Sequence, residues 1–338
     1  MPRFLEIAAG VLGLLVLAIA AAWGYFFYTP SVKPVNALGG TLLDGSLSVD
    51  GVERHFRWYR PPHPAASPPL VFVLHASMSD GDDARRSTYY EFDRLAGRHD
   101  FLAVYPDGFE RHWNDCRAAA TYSANTKNID DVAFFGKMID FFVAEQHANP
   151  DRVYATGISN GGQLAYRLAL EMPDRIAAVA PVAASLPDDA NLDCVKSGKP
   201  VAIMVVNGTK DPMNPYEGGE AALYGIWGSR GTVLSTDATI RYFADLAGHH
   251  GPPRVVQYPD INSYDRSRAE LQIWNDGPGP EVVLLKIDGG GHTFPHPFYR
   301  FPRIIGATNA DLDGAAEIWR FFSDKRRGSS GGVARRAD

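Results

Sequence analysis

The chain has 338 residues, of which 45% are hydrophobic and 21% are charged, so it can bury the core of one catalytic domain. Its formal net charge is -6 and no run of five like charges occurs. These values argue against a nucleic-acid-binding protein, which would carry a basic stripe.

The first element is an apolar segment from Ile7 to Tyr28 that contains no charged residue. It is long enough to span a bilayer, and the aromatic residues at its C-terminal end are typical of a membrane interface. A cleaved signal peptide and an uncleaved anchor both fit residues 1–28, and the length of the apolar stretch favours the anchor. Either interpretation predicts an exported domain, periplasmic or extracellular, after a linker at residues 29–40.

Residues 41–325 have the pattern of a catalytic domain. It begins with a predicted hairpin around Asp50-Gly51, a pair that suits the positive φ angles of a type I′ turn. Six short apolar runs then indicate buried strands with helical patterns between them. The runs are 70–75, 101–106, 152–156, 177–184, 201–206 and 281–287. This alternation predicts the α/β class: a mostly parallel central sheet flanked by helices, preceded by one N-terminal hydrophobic helix.

Two helices can be placed from their apolar spacing. One includes Val132 to Val143, with Asn128 as the predicted N-cap. The other covers 311–323 and presents one apolar face to the sheet. Residues 326–338 have almost nothing to bury, so we predict a disordered tail.

The strongest motif is Gly157-Ile158-Ser159-Asn160-Gly161-Gly162, which lies between a predicted strand and a helical run. The pattern G-x-S-x-G in this context is a nucleophile elbow, where small neighbours let a serine occupy a strained turn with its hydroxyl exposed. The alternative is a glycine-rich turn without chemistry. We therefore predict Ser159 as a nucleophile.

A serine nucleophile requires a histidine base, which follows the serine in the chain order of this elbow. His292 comes after the strand 281–287 and a run of three glycines, at the carboxyl end of the sheet. His296 is the alternative. His249 and His250 follow a helical stretch and are interpreted as exposed loop residues.

The base in turn requires a carboxylate that holds it in the correct tautomer. Asp211 lies in a turn directly after the strand 201–206, at the same edge of the sheet as the serine and histidine. Asp260 and Asp288 are the competing carboxylates. Asp211 is our predicted third member of the triad.

A developing oxyanion requires two donors that are already in place. The backbone N–H of Asn160, directly after the nucleophile, is the first prediction. The second donor should come from the loop after strand 70–75, with the N–H of Ser77 favoured and that of Ala76 as the alternative.

Two cysteines, Cys116 and Cys194, are too few for a disulfide scaffold or a cysteine-based metal site. Export would permit them to form a disulfide. The sequence alone leaves the pairing open, because it does not show how closely their Cα atoms approach.

Several segments resemble the polyhydroxybutyrate depolymerase and feruloyl esterase group, which is similar to carbohydrate esterase family 1. The landmarks are LVFVLH, YPDG, RVYATGISNGGQLAYRLALEM, NGTKDP and GGGHTFP, within about 71 to 322. The resemblance implies the α/β-hydrolase fold and a serine esterase, with Ser159, Asp211 and His292 at the triad positions. It also implies that Trp113 lies beside the acyl or aryl pocket.

The chain departs from this group in two places. His75-Ala76 stands where members carry His-Gly, which adds a Cβ beside the oxyanion loop and leaves the second donor open. Residues 217–280 differ from what the group leads us to expect, and their aromatic residues suggest a cap or substrate wall.

We predict an exported carboxylic-ester hydrolase that uses an acyl-enzyme on small or oligomeric esters of hydroxyalkanoate, feruloyl or acetyl type. The prediction includes no metal or organic cofactor, no nucleic acid, no protein partner, and membrane contact only through the N-terminal segment. A peptidase of the same fold is the alternative enzyme. A non-catalytic binding protein is the alternative of another class, although the presence of serine, acid and histidine argues against it.

Overall fold

The computed structural model describes residues 2–32 and 39–328. Residues 33–38 of the predicted linker and 329–338 of the predicted tail lie outside the described residues. Helix α1, Pro2–Phe27, includes the segment Ala9–Phe27, which has a hydropathy of 2.1 and is not buried by the rest of the protein. By length and composition α1 can cross a membrane, and a signal sequence has the same properties.

The domain is built on one ten-stranded sheet in the order β1-β2-β4-β3-β5-β6-β7-β12-β11-β10, and β8 and β9 pair separately. In chain order the strands are β1 Thr41–Val49, β2 Val52–Arg60, β3 Leu70–Leu74, β4 Leu102–Pro106, β5 Val153–Ile158, β6 Ala178–Val182, β7 Ala202–Gly208, β8 Gly219–Glu220, β9 Thr232–Val233, β10 Arg254–Gln257, β11 Arg268–Trp274 and β12 Val282–Asp288.

The centre of this sheet is parallel, from β4 through β3, β5, β6 and β7 to β12. These strands are the six apolar runs of the sequence, and β3 to β7 are buried at every position because helices cover both faces. Antiparallel strands extend both edges. The predicted α/β class with a mostly parallel sheet is confirmed.

Within the described residues, seven further α-helices follow α1: α2 Gly81–Ser87, α3 Glu91–His99, α4 Ser123–Thr126, α5 Asp131–Gln146, α6 Asn160–Glu171, α7 Thr236–Leu246 and α8 Gly314–Phe322. Side chains of α5, α6 and α7 form one apolar cluster with one face of the sheet, and those of α2, α3 and α8 form a second cluster with the other face. The last predicted helix is thus present, and Asp313 caps it by accepting hydrogen bonds from two backbone N–H groups.

The predicted hairpin is also present. Asp50 and Gly51 have φ angles of 48° and 80°, the left-handed values that a type I′ turn requires. They join β1 to β2, and β1 forms an edge of the sheet.

The predicted N-cap Asn128 is wrong. Helix α5 begins three residues later, and Asp130 caps it by accepting a hydrogen bond from Ala133 N at 2.8 Å. Asn128 instead lies in a left-handed turn with a φ of 48°, where its side chain accepts a hydrogen bond from Asn114. An aspartate two residues nearer the helix therefore provides the cap.

The two cysteines form a disulfide, Cys116–Cys194, with their Cα atoms 5.0 Å apart. The bond joins the loop before α4 to the loop after β6, across a sequence separation of 78 residues. Because this loop is long, the bond restricts the unfolded chain considerably.

Candidate active site

Ser159 occupies the turn between β5 and α6. Its backbone has a φ of 58° and a ψ of -118°, a combination that is strained for any residue with a Cβ. Its N–H donates to Val182 O at 2.9 Å and its carbonyl accepts from Gln163 N at 2.9 Å, so hydrogen bonds hold the turn on both sides. The side chain is left half-buried at the carboxyl end of the sheet.

Gly161 lets the elbow approach the end of β3. A Cβ at this position would lie 2.6 Å from the carbonyl oxygens of both Leu74 and His75. Such contacts require the backbone to move, because both atoms belong to the main chain. Gly161, two residues after the serine, is therefore required for α6 to pack against the loop that follows β3.

His292 and Asp211 are in direct contact within the site. His292 Nδ1 lies 2.8 Å from Asp211 Oδ2, and both side chains are buried. Asp211 Oδ1 accepts hydrogen bonds from Met213 N at 2.7 Å and Asn214 N at 2.8 Å. The carboxylate is therefore fixed by its own turn, and it favours the tautomer of His292 that carries a proton on Nδ1.

The other ring nitrogen, His292 Nε2, is buried and has no hydrogen-bond partner among the described residues. Ser159 and His292 both line a cavity of about 250 Å³, and both also line a second cavity of about 560 Å³. Ala76 is part of both walls. The two cavities thus meet at the serine, the histidine and the loop after β3.

The predicted oxyanion donors lie at the same place. Asn160 is the first residue of α6, where a backbone N–H has no partner within the helix. Ala76 and Ser77 both line the smaller cavity, whereas Met78 N is already committed to Arg111 O at 2.9 Å. The second donor thus remains a prediction between Ser77 and Ala76.

His75 holds the loop after β3 through both nitrogens of its ring. Gly108 N donates to His75 Nε2 at 2.8 Å, so Nδ1 carries the proton and donates to Ala76 O at 2.7 Å. Burial lowers the pKa of His75 to about 4. The neutral ring therefore connects the loop after β3 to the loop after β4.

The prediction that Trp113 lines the substrate pocket is wrong. Its side chain is 0% exposed and packs below the site, where Nε1 donates to His75 O at 3.0 Å. The aromatic side chains in the wall of the smaller cavity are Tyr122 and Trp227. Trp227 belongs to residues 217–280, the segment that the sequence suggested as a substrate wall.

The side chain of Asn160 has a structural role that the sequence analysis did not identify. Its Oδ1 accepts from Trp113 N at 2.8 Å, and its Nδ2 donates to Trp113 O at 3.1 Å and Asp115 Oδ2 at 2.6 Å. Asp115 also pairs with Arg117, next to the disulfide at Cys116. This network connects the elbow to the disulfide.

The alternative bases are placed elsewhere. His296 Nδ1 accepts hydrogen bonds from Phe298 N and Tyr299 N, and burial lowers the pKa of His296 to about 4. His249 was predicted to be exposed, but this is wrong: it is 0% exposed, because its ring bridges Pro280 O and Gly277 N.

The competing carboxylates also have other partners. Asp288 accepts a hydrogen bond from Thr209 Oγ1 at 2.9 Å, and Asp260 lies 3.4 Å from the guanidinium of Arg268. In the described part of the chain, no group of three or more His, Cys, Asp or Glu side chains is placed to hold a metal ion.

The known proteins that this chain resembles are esterases. The family model described as esterase PHB depolymerase matches residues 55–195, which include Ser159. The putative esterase NocK of Nocardia uniformis subsp. tsuyamanensis is 28% identical over 297 residues, which are 85% of this chain and 84% of the relative. The chain is a carboxylic-ester hydrolase. The predicted resemblance to the polyhydroxybutyrate depolymerase and feruloyl esterase group is confirmed.

A second relative of this esterase has two activities in its name. The bifunctional acetylxylan esterase/xylanase XynS20E of Neocallimastix patriciarum is 25% identical over 276 residues, which cover 81% of the chain but only 33% of the relative. Among solved structures, acetyl xylan esterase from Aspergillus awamori aligns with a TM-score of 0.54 at 16% identity, over 84% of this chain and 99% of that one. This likeness confirms the α/β-hydrolase fold.

Proposed function

We propose that this chain is a serine esterase in which Ser159 is the nucleophile, His292 the general base and Asp211 the orienting acid. The observation that carries the proposal is the 2.8 Å contact between His292 Nδ1 and Asp211 Oδ2, with His292 Nε2 free of partners among the described residues. Because the serine and the histidine share two cavity walls, the free nitrogen is available to the serine hydroxyl.

The reaction has two steps. In the first, His292 Nε2 removes the proton of the Ser159 hydroxyl while Oγ attacks the ester carbonyl, and the same nitrogen returns the proton to the departing alcohol. In the second, water takes the place of the alcohol and releases the acid from the acyl-enzyme. Asp211 stabilises the imidazolium that forms in each step.

The oxyanion of each tetrahedral intermediate would be bound by the backbone N–H of Asn160 and a second N–H from the loop after β3. Ser77 N is our first choice and Ala76 N the alternative. These donors belong to backbone that is fixed by other contacts, so they need little reorganisation during the reaction.

The two cavities provide separate places for the two parts of an ester. The smaller, about 250 Å³, has Tyr122, Leu223 and Trp227 in its wall and fits a small acyl or aryl group. The larger, about 560 Å³, also has Ser159 and His292 in its wall and would take the alcohol. Acetyl, hydroxyalkanoyl and feruloyl esters therefore form the candidate substrates.

We also propose that the domain works outside the cytoplasm, anchored by α1. The length and apolar composition of α1 support an anchor. The Cys116–Cys194 disulfide supports an oxidising compartment, where such bonds persist.

The test is hydrolysis of p-nitrophenyl acetate, methyl ferulate, an ester of 3-hydroxybutyrate and an aminoacyl amide by the full chain in detergent. We expect Ser159→Ala and His292→Ala to lower kcat on the order of 10⁴-fold or more, because triad members act together. His250→Ala, which removes an exposed histidine, is the matched control and should leave kcat unchanged. A loss under about tenfold would refute the triad, and faster cleavage of the amide would favour a peptidase.

A further inference from the structure

Helix α1 contacts the short turn Arg303–Ile305 of the domain. The guanidinium of Arg303 lies 4.5 Å from the ring centroid of Tyr25 and donates a hydrogen bond to Tyr25 O at 3.1 Å. The apolar segment Ala9–Phe27 is otherwise unburied. The membrane-spanning candidate therefore leaves the domain from the surface around this turn.

That surface exposes large apolar side chains. Phe298 is 75% exposed, Tyr264 96% and Ile261 70%. Phe298 and Tyr264 line one cavity of about 590 Å³ together with Tyr25 and Phe26 of α1. Exposed apolar residues that are contiguous with a membrane helix mark a surface that contacts lipid.

The same surface carries positive charge. Arg266, Arg300 and Arg303 line this cavity, and none of them has a carboxylate within 4.0 Å in the described ranges. The acids beside them have local partners: Asp265 accepts hydrogen bonds from backbone and side-chain groups, and Asp260 pairs with Arg268. Arg266 and Arg300 are therefore available to anionic lipid headgroups, and Arg303, whose guanidinium also contacts Tyr25, adds a third positive charge beside them.

Both active-site cavities are connected to this turn. Ile305 and the segment from Thr29 to Val32 line the larger cavity. The loop that carries Trp227, which is 73% exposed at the smaller cavity, is tied to the turn because Tyr224 donates a hydrogen bond to Ile304 O at 2.6 Å. A bilayer in contact with this surface would therefore face the entrance to the site.

We propose that residues 261–266 and 298–305 form a docking surface for the bilayer that α1 spans, with the three arginines on anionic headgroups and the exposed apolar side chains in the interfacial layer. The site then receives amphiphilic esters whose alcohol part lies in the lipid. This last step rests on the proposed esterase activity, whereas the contact with lipid does not.

Lipid contact is measured first, without turnover. Both native cysteines are in the disulfide, so Phe298→Cys creates a single free thiol for the fluorophore NBD. The full chain is placed in nanodiscs of phosphatidylcholine and phosphatidylglycerol, with or without nitroxide-labelled lipid.

Lys199→Cys, at the opposite end of the sheet before β7, is the control. We expect loss of most NBD fluorescence at position 298 and little at 199. Equal fluorescence loss at the two positions would overturn the proposal.

Substrate delivery is measured second, with the methyl and octadecyl esters of the acyl group that the substrate panel ranks first. Phe298→Asp should lower kcat/KM for the octadecyl ester in nanodiscs by about tenfold and leave the methyl ester within about twofold. Val195→Asp, another exposed apolar position, should change neither. An equal loss on both esters would contradict lipid delivery. If neither ester is cleaved while position 298 remains quenched, the proposed esterase fails and the docking surface stands.

Discussion

Substitution of Gly161 by alanine tests how closely the nucleophile elbow is fitted to the oxyanion loop. The added Cβ would lie 2.6 Å from two backbone oxygens, those of Leu74 and His75. Ordinary contact needs about 3.5 Å, so on the order of 1 Å of backbone movement must be accommodated. His75 directly precedes Ala76, and the displacement would therefore reach the proposed second oxyanion donor.

Both activity and stability should respond. Misplacement of a catalytic group by about 1 Å costs on the order of 10²-fold in rate, and overpacking of a buried site costs about 1–3 kcal/mol. We therefore expect Gly161→Ala to lower kcat/KM for p-nitrophenyl acetate by about 10²-fold. We also expect it to reduce the free energy of unfolding, measured in urea, by about 1–3 kcal/mol.

Gly136→Ala is the matched control. It lies in α5, and its added Cβ would meet only Met172 Cε at 3.8 Å, an ordinary contact. Because alanine favours helices over glycine by up to about 1 kcal/mol, this variant should be equally or more stable and fully active. The reasoning is refuted if Gly161→Ala stays within about threefold of the parent kcat/KM. A loss of stability alone would show that the displacement does not reach the oxyanion donors.

Three further predictions concern stability, measured by urea unfolding. Ser159→Gly should be about 1 kcal/mol more stable than Ser159→Ala, because glycine relieves the strained φ of 58°; equal stabilities would contradict this strain. The pKa of His75 is about 4 when folded against 6.5 in the unfolded chain, so stability is lost as pH falls between these values, by up to about 3 kcal/mol. His75→Gln should remove this component between about pH 7 and about pH 4.5, and an unchanged pH dependence would count against it. Replacing Cys116 and Cys194 by serine should cost on the order of 4 kcal/mol, and a loss near zero would exclude the chain-entropy argument.

The parallel part of the sheet could be predicted because its strands are short and consist mainly of apolar residues. Strands β10 and β11 were missed for two different reasons. β10 lies at the sheet edge with all four residues exposed, so it has no apolar pattern. β11 does alternate between buried and less buried residues from Arg268 to Ile273, and this period of two was a readable signal.

The site shows a similar division. The position of Ser159 in the turn between β5 and α6 could be predicted, because the elbow is a local motif with a defined backbone. The position of Trp113 depends on a tertiary contact, since its indole turns inward to bond His75 O. The role of the Asn160 side chain depends on Asp115, 45 residues away. No local pattern contains such pairings, so the resemblance pointed to Trp113 but could not show which way its side chain turns.

The meeting of Asp211 and His292 follows from strand order. Strands β7 and β12 are adjacent and parallel, with Gly208 opposite Ile287, so the chain leaves both strands at the same edge. A Cβ at Gly208 would collide with the backbone of Gly290, hence the two exit loops can touch only because glycine is present there. The backbone of Lys210 then donates to Gly290 O at 2.8 Å and locks the loops together. Asp211 and His292 are 81 residues apart in the chain, and two neighbouring strands and the contact at Gly208 bring them together. The geometry of the acid and base is therefore set before any substrate enters.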